Sequence, residues 1–592
     1  MKDLLDIFLE QKNEFGIVNY EMKRIYSLSN IQILLVLLFI SLIVYFPLLF
    51  AGFVGDDKEQ LYNYALVNSF LSLPKVFFYH HVVLESHNSI LSGYYKPLML
   101  LYFYSLRILF GVNPFIFHFL QMILSCVNSF LVYLLFSKFF KKNLSLFLGI
   151  LFLVHPINQE VVSYVSNIQE TLFFLFGMLG LLLNFRQKTS WKFILGTFSF
   201  LSLSLLSKEA GILFIIILFT YHLLFSRKLL KKIFAVEICV IIFYSFLRFT
   251  SRGTDVFWIE PPPLAKVIFT ERIKHIPLIF FYYVKTFFYP DVLAFNQQWI
   301  VKNFQAKTFL LPLIFDVSFI SVLLSTVFLF FKKKLEHTKV LLFFTIWFFV
   351  GILPHLQLIP LDATVATRWF YFSSVGIVGI LGVSIETFEK KYIHLKLSKN
   401  AYIYVGIFIL ISMSFRTYMR NLQWKDALTL YSTDAEISKS PLMENNLGDE
   451  YFKLGNFTKA QEHFQKALKL DPNLWIAINN MGTLEEQKKN YEKAYYYYEQ
   501  ALQRSNRLPL YENIGRVLVL TKKSQEANIF LDTGLSKYPL SAKLWLTKSL
   551  ANYDLGKLQE ALEYAKKSYE LLPDPKTQNV IDVISEKINS SK

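Results

Sequence analysis

About eleven apolar runs, separated by loops that are alternately rich and poor in lysine and arginine, leave this chain few ways to fold. A backbone in hydrocarbon must satisfy its own hydrogen bonds, so a run of about 20 apolar residues crosses a bilayer as a helix. The runs cover residues 33–53, 113–136, 144–154, 161–185, 193–206, 211–225, 233–249, 309–331, 340–353, 369–385 and 402–415. Hydrophobic residues make up 54% of the chain and charged ones 18%, a ratio that excludes a soluble protein of this length. The net charge of +17 invites a nucleic-acid reading, but the basic residues sit in short clusters between apolar runs, which is the positive-inside pattern. Cys126 and Cys239 both lie inside apolar runs, so no disulfide framework is implied.

The basic clusters fix an orientation. Lys138, Lys141 and Lys142, then Arg186, Lys188 and Lys192, then Arg227, Lys228, Lys231 and Lys232, then Lys332, Lys333 and Lys334, and finally residues 390–399 fall on every second loop. These loops face the cytoplasm, as does the polar segment 1–30, and the first run reads as an uncleaved anchor. Residues 273–289 break the alternation: apolar, but carrying Lys274, His275 and Lys285, they read as an interfacial or re-entrant helix. An odd number of spans puts the C-terminus on the outer side. The expected architecture is all-α: a polytopic helical domain over 31–416, with a long first outer loop over 54–97, and then a linker over 417–440.

From about Pro441 the chain turns charged and periodic. Gly448, Tyr451, Ala460, Phe464, Ala467 and Pro472 stand at the spacing of a tetratricopeptide repeat, whose period is about 34 residues. The pattern recurs over 441–474, 475–507, 508–541 and 542–575, and a tail follows over 576–592. Four such units stack into an α-solenoid, an architecture that binds other proteins and seldom does chemistry.

The outer loops hold the chemistry. Gly55-Asp56-Asp57-Lys58-Glu59 follows the first run directly, placing two adjacent carboxylates at the membrane surface, where they are costly unless water, a partner or a substrate takes them up. Asp57, with Gln60 three residues later, reads as the N-cap of a short helix with a capping box. That leaves Asp56 without a structural task and makes it the sharper functional candidate. On the same side lie Tyr95-Lys96-Pro97, His155-Pro156 with Glu160 and Val162, Leu206-Ser207-Lys208-Glu209, His355, and Arg368 with Tyr371.

This order of motifs, followed by the repeats and by Trp424, Asp426 and Leu430 at the junction, resembles the transmembrane and tetratricopeptide-repeat-containing O-mannosyltransferases and their bacterial relatives. The chain departs from the pattern in having Ile168 where relatives often carry arginine, and Lys96 where arginine is expected. The resemblance implies the GT-C fold of the protein O-mannosyltransferases. It also implies transfer of a mannose-like sugar from a polyprenyl or dolichyl phosphate to an acceptor hydroxyl, with inversion, on the non-cytoplasmic side. In that reaction Asp56 takes the hydroxyl proton, with Asp57 holding the acceptor or a sugar hydroxyl. Arg368 and Tyr371, with Lys208 and Lys96, meet the leaving phosphate, and His155, Glu160, Glu209 and His355 support them.

Blander readings stand beside these. Arg368 equally suits a snorkelling interfacial arginine, and a cap or local hydrogen bond explains His155 and Glu160 nearly as well. A divalent cation stays open, because adjacent aspartates need a third ligand that the sequence does not identify. The implied partners are the lipid-linked donor and a protein acceptor held by the repeats, with no nucleic acid. The implied site is the bacterial inner membrane with the repeats periplasmic, or the endoplasmic reticulum with the repeats lumenal. Sugar transfer to a lipid or envelope glycan, a non-catalytic scaffold and a transporter are the other classes. A transporter places charged residues at mid-span, whereas here the distinctive polar residues gather at the outer ends of spans.

Overall fold

The computed structural model describes residues 28–62, 70–77, 95–188, 190–251, 264, 267–295, 297–301, 305–392, 399–438 and 440–590. Most of the N-terminal segment, two parts of the first outer loop, Pro261-Pro262-Pro263 and part of the basic stretch 390–399 therefore lie outside the described residues. Among the described residues every regular element is helical, and an isolated bridge joins Gln297 to Val365. The chain divides into two compact units, one reaching to Leu430 and the other beginning at Tyr431.

In the first unit, six helices are long and apolar enough to cross a membrane, or seven if the bent pair Lys142–Val154 and Pro156–Ser163 is one span. The expected eleven are not reached among the described residues, and the reason is local. The first run breaks after the helix Asn30–Val44, because Pro47 removes a backbone donor and a single 3₁₀ turn, Phe46–Phe50, carries the chain on. His155-Pro156 bends the chain by 50° between Lys142–Val154 and Pro156–Ser163, at the turn expected between the third and fourth runs. The shorter apolar helices are Asn30–Val44, Pro97–Phe110, Trp191–Ser207 and Glu209–Phe225. Pro97–Phe110 closes the first outer loop, and its apolar character escaped the sequence reading. The segment expected to be interfacial or re-entrant forms the helix Ile276–Phe288, 13 residues long. At about 1.5 Å per residue that is too short to span a core about 30 Å thick.

The basic loops meet at one end of this unit. Lys141 pairs with Glu389 at 3.2 Å, and the neighbouring Lys390 reaches Glu336 at 2.7 Å. Small residues let the helices approach in between: a side chain at Gly376 would stand 2.4 Å from the backbone nitrogen of Phe348. The stretch read as a linker, 417–440, is mostly helix. Lys399–Gln423 runs past Arg416, and Ala427–Ser438 follows, its Leu430, Tyr431 and Ala435 buried at helical spacing.

In the second unit each expected repeat contains two helices, from Pro441–Lys453 with Phe457–Leu470 to Ala542–Asp554 with Leu558–Leu571, and Pro575–Ser590 closes the array. The glycines of the pattern mark where paired helices touch. A Cβ at Gly448 would meet the Phe464 ring at 2.6 Å, and one at Gly482 would meet the Tyr498 ring at 2.6 Å.

Candidate active site

The acidic pair is carried by a short loop whose shape separates the two carboxylates. Gly55 adopts φ +57°, a left-handed conformation that suits glycine, and the helix Asp57–Tyr62 starts directly after Asp56. Asp57 turns inward and is 1% exposed. Its Oδ2 accepts the Val54 N–H at 3.1 Å, and its Oδ1 accepts the Ser166 N–H at 2.7 Å and the Ser166 hydroxyl at 2.6 Å. The expected structural task for Asp57 is present, but it is not an N-cap. Asp57 is the first residue of its helix, and its carboxylate ties the loop to the turn Val165–Asn167. Burial pushes its pKa up to about 7, outweighing the hydrogen bonds that favour the charged form.

Asp56 faces the other way and stays exposed to solvent. Its backbone N–H donates to the Tyr164 hydroxyl at 3.1 Å, and that hydroxyl in turn hydrogen-bonds the carboxylate. Arg368, Lys96 and Asp362 stand close enough to act on the Asp56 charge. Solvent reaches the Asp56 side chain, while the neighbouring protein groups leave its carboxylate only partly hydrated. Lost hydration raises its pKa above the ordinary value, against the pull of Tyr164, Arg368 and Lys96.

Arg368 is held by Glu160, a pairing the sequence did not reveal. Arg368 Nη1 meets Glu160 Oε1 at 2.6 Å, while Glu160 Oε2 accepts the Thr367 hydroxyl at 2.5 Å and the Arg368 N–H at 3.3 Å. Both residues are buried, and Arg368 Nη2 points toward Asp362 at 3.8 Å. The Ile276–Phe288 helix backs this turn: the Tyr283 hydroxyl bonds the Ala366 backbone, and the Tyr283 ring stacks on Phe370 at 5.5 Å. Lys208 pairs with Glu170, and Glu209 pairs with Arg248 at 3.1 Å. Lys96 feels the charges of Glu209, Lys208, Glu170 and Asp362, and burial lowers its pKa. His355 stacks on Trp369 at 5.4 Å and lies within range of the Lys208 and Arg368 charges.

Two expected residues stand apart. The Tyr371 hydroxyl accepts from Asn128 inside the helix bundle, and its ring packs on Phe152 and Phe174, so its place is in the core and not against a phosphate. His155 caps the turn after it, accepting the Ile157 N–H at 3.2 Å, while its Nε2 contacts the Phe287 carbonyl at 2.9 Å. The bland reading of His155 is therefore the one its contacts describe. Tyr164, Ser166, Glu170 and Asp362 join the site without having been singled out. Among the described residues no three His, Cys, Asp or Glu side chains gather as metal ligands.

The site thus joins one exposed but partly dehydrated carboxylate to cations at the ends of apolar helices, a layout suited to proton abstraction beside a departing anion.

Comparison with known proteins gives matches for both units of the chain. The model for "Dolichyl-phosphate-mannose-protein mannosyltransferase" matches residues 95–249, and tetratricopeptide-repeat models match 442–474 and 542–575. The protein O-mannosyl-transferase F38B6.6 of Caenorhabditis elegans is 27% identical over 467 residues, covering 75% of this chain and 64% of that protein. The protein O-mannosyl-transferase TMTC3 of Homo sapiens is 22% identical over 618 residues, covering 92% of this chain and 65% of that protein. The chain therefore spans just under two thirds of the length of these curated relatives. A solved MamA from Desulfovibrio magneticus matches 25% of the chain at 17% identity, with a TM-score of 0.24.

Proposed function

We propose that this chain, whose matches support membership of the transmembrane and tetratricopeptide-repeat-containing O-mannosyltransferases, is a membrane glycosyltransferase of GT-C type with Asp56 as its general base. Its donor is a mannose-like sugar on a polyprenyl or dolichyl phosphate, and its acceptor is a protein hydroxyl presented with the help of the repeats. One observation carries the reading. Of two adjacent carboxylates, Asp57 is consumed by three hydrogen bonds, while Asp56 stays exposed within reach of the Arg368 and Lys96 charges.

The step follows from that arrangement. Asp56 accepts the proton as the acceptor oxygen forms its bond to the anomeric carbon, and the bond from that carbon to the phosphate oxygen breaks. The electron pair leaves with the lipid phosphate, whose charge Arg368, Lys96 and Lys208 offset. Glu160 keeps the Arg368 fork in one orientation, which spares the cost of ordering it at each turnover. Asp362 is placed to accept hydrogen bonds from sugar hydroxyls. The basic loops, gathered at the opposite end, argue for a site on the non-cytoplasmic side, periplasmic in a bacterium or lumenal in the endoplasmic reticulum.

Purified full-length protein with a serine- and threonine-containing peptide is expected to transfer sugar from mannosyl polyprenyl phosphate and not from GDP-mannose. Transfer from the nucleotide sugar alone contradicts the donor assignment. Transfer from the lipid donor to lipid and never to peptide moves the chain to the glycolipid branch of the same chemistry.

A further inference from the structure

The segment that follows the helix Lys399–Gln423 meets the loop that carries Asp56. Gly52, four residues before the carboxylate, donates its N–H to the Lys425 carbonyl at 2.8 Å, and its own carbonyl meets His118 Nε2 at 3.4 Å. Trp424 is 1% exposed. Its ring packs on Tyr164 at 5.9 Å and edge-on against Phe295 at 5.5 Å, and Phe295 meets Tyr164 at 5.1 Å. Tyr164 is the residue whose hydroxyl bonds Asp56. The indole therefore backs the phenol that orients the carboxylate.

One helical turn earlier, Asn421 ties three segments together. Its Nδ2 donates to the Val44 carbonyl at 2.8 Å, and its Oδ1 accepts from Gln159 Nε2 at 2.8 Å and from the Ser163 hydroxyl at 3.0 Å. Val44 ends the helix before the Asp56 loop, while Gln159 and Ser163 frame the short helix before Tyr164. The Trp424 indole N–H meets no acceptor among the described residues, so what the position uses is the bulk of the ring. An ordinary core tryptophan satisfies that description as well, but it would have no reason to sit between the two supports of one exposed carboxylate.

We infer that Trp424, together with Asn421 and the Lys425 carbonyl, is a positioning brace for Asp56, holding Tyr164 and Gly52 so that the carboxylate keeps its reactive orientation. The inference rests on Asp56 being the base. Trp424 does not touch Asp56; it acts through Tyr164. The groups that face Asp56 directly are Tyr164, Arg368, Asp362, Lys96 and the adjacent Asp57. The Tyr164 hydrogen bond favours the charged carboxylate, so loosening it makes the base protonate at higher pH.

The test uses the full-length chain with mannosyl polyprenyl phosphate and a hydroxyl peptide. It compares Trp424→Leu, Trp424→Phe, Phe295→Leu and Asp56→Asn for kcat, donor KM, the pH dependence of kcat and thermal midpoint. Trp424→Leu is expected to lower kcat about 10- to 100-fold with donor KM changed by less than about twofold, because a base displaced by a fraction of an ångström loses rate and not binding. Its acid limb moves to higher pH, and Trp424→Phe recovers most of the rate because no indole hydrogen bond is lost. A folded Trp424→Leu with wild-type kcat and acid limb, only less heat-stable, overturns the inference. If Trp424→Leu does not fold, Phe295→Leu, which trims the other side of the same ring cluster, decides in the same way. An active Asp56→Asn overturns the underlying base assignment, and it does so independently of Trp424.

Discussion

Asp56→Asn is expected to lower turnover about 10²- to 10⁴-fold while donor affinity stays nearly unchanged, the signature of a lost general base. Asparagine keeps the size of the side chain and accepts the Tyr164 hydrogen bond, but it cannot take the acceptor proton. The neighbouring substitution gives the opposite pattern. In Asp57→Asn one of the two carboxylate oxygens becomes an amide that faces N–H donors of Val54 or Ser166. A buried donor is then left without an acceptor, costing about 1–3 kcal/mol of stability, with the base untouched in whatever protein remains folded. pH separates the two residues further. A general base must be ionised, and the Asp56 pKa is raised, so activity falls on the acid side at a pH above the usual carboxylate range. Asp57 acts on stability instead. Its folded-state pKa of about 7 lies above the ordinary 3.8, so the stability it contributes is full below about 4 and lost as the pH rises through about 7. Asp57→Asn removes that dependence. Kinetic titration of turnover and thermal melts across the same pH range check both halves.

Glu160→Ala carries the second large effect, an expected loss of about 3–5 kcal/mol in stability, because it leaves the buried Arg368 guanidinium without its partner. Glu160 is the acceptor for Arg368 Nη1, the Arg368 N–H and the Thr367 hydroxyl, so all three donors are orphaned together. Asp362 stands 3.8 Å from Arg368 Nη2 and is largely solvated, too far and too wet to replace Glu160. Removing both charges, in Glu160→Ala with Arg368→Met, is expected to restore much of the stability and none of the donor binding. That split distinguishes a pair that only holds the fold from one that holds an arginine for a phosphate. Denaturation of the purified variants and donor-binding titrations on the same samples measure it.

The repeats and the existence of a multi-span helical domain were legible because both rest on periodicity, which survives in a single sequence. The number of spans was not, because helix length is decided where proline and polar contacts break a run. Pro47 shortens the first run to Asn30–Val44, and the runs near 193–206 and 211–225 form only the short helices Trp191–Ser207 and Glu209–Phe225. Within the site, the sequence separated Asp56 from Asp57 through an N-cap that Asp57 does not form, and the partners that do hold Asp57 were out of its sight. Ser166 lies 109 residues away, a distance no local pattern spans. The same limit hid Glu160 from Arg368, 208 residues apart, and Trp424 from Tyr164. Tyr371 misled for the converse reason. It was grouped with Arg368, but Arg368 belongs to the turn Thr367–Phe370, and the helix begins only at Tyr371, whose ring faces the bundle.

The central claim is that one carboxylate does the chemistry, by direct displacement at the anomeric carbon, because its neighbour is locked in the fold. The configuration of the product tests this most directly. Sugar transferred from a mannosyl polyprenyl phosphate of known anomer to a threonine peptide would be assigned by one-bond carbon–hydrogen coupling at the anomeric position. The account predicts a single product with the anomeric configuration inverted. Retention contradicts it, since retention through a covalent intermediate needs a second carboxylate as nucleophile, and Asp57 has no oxygen to spare for that task.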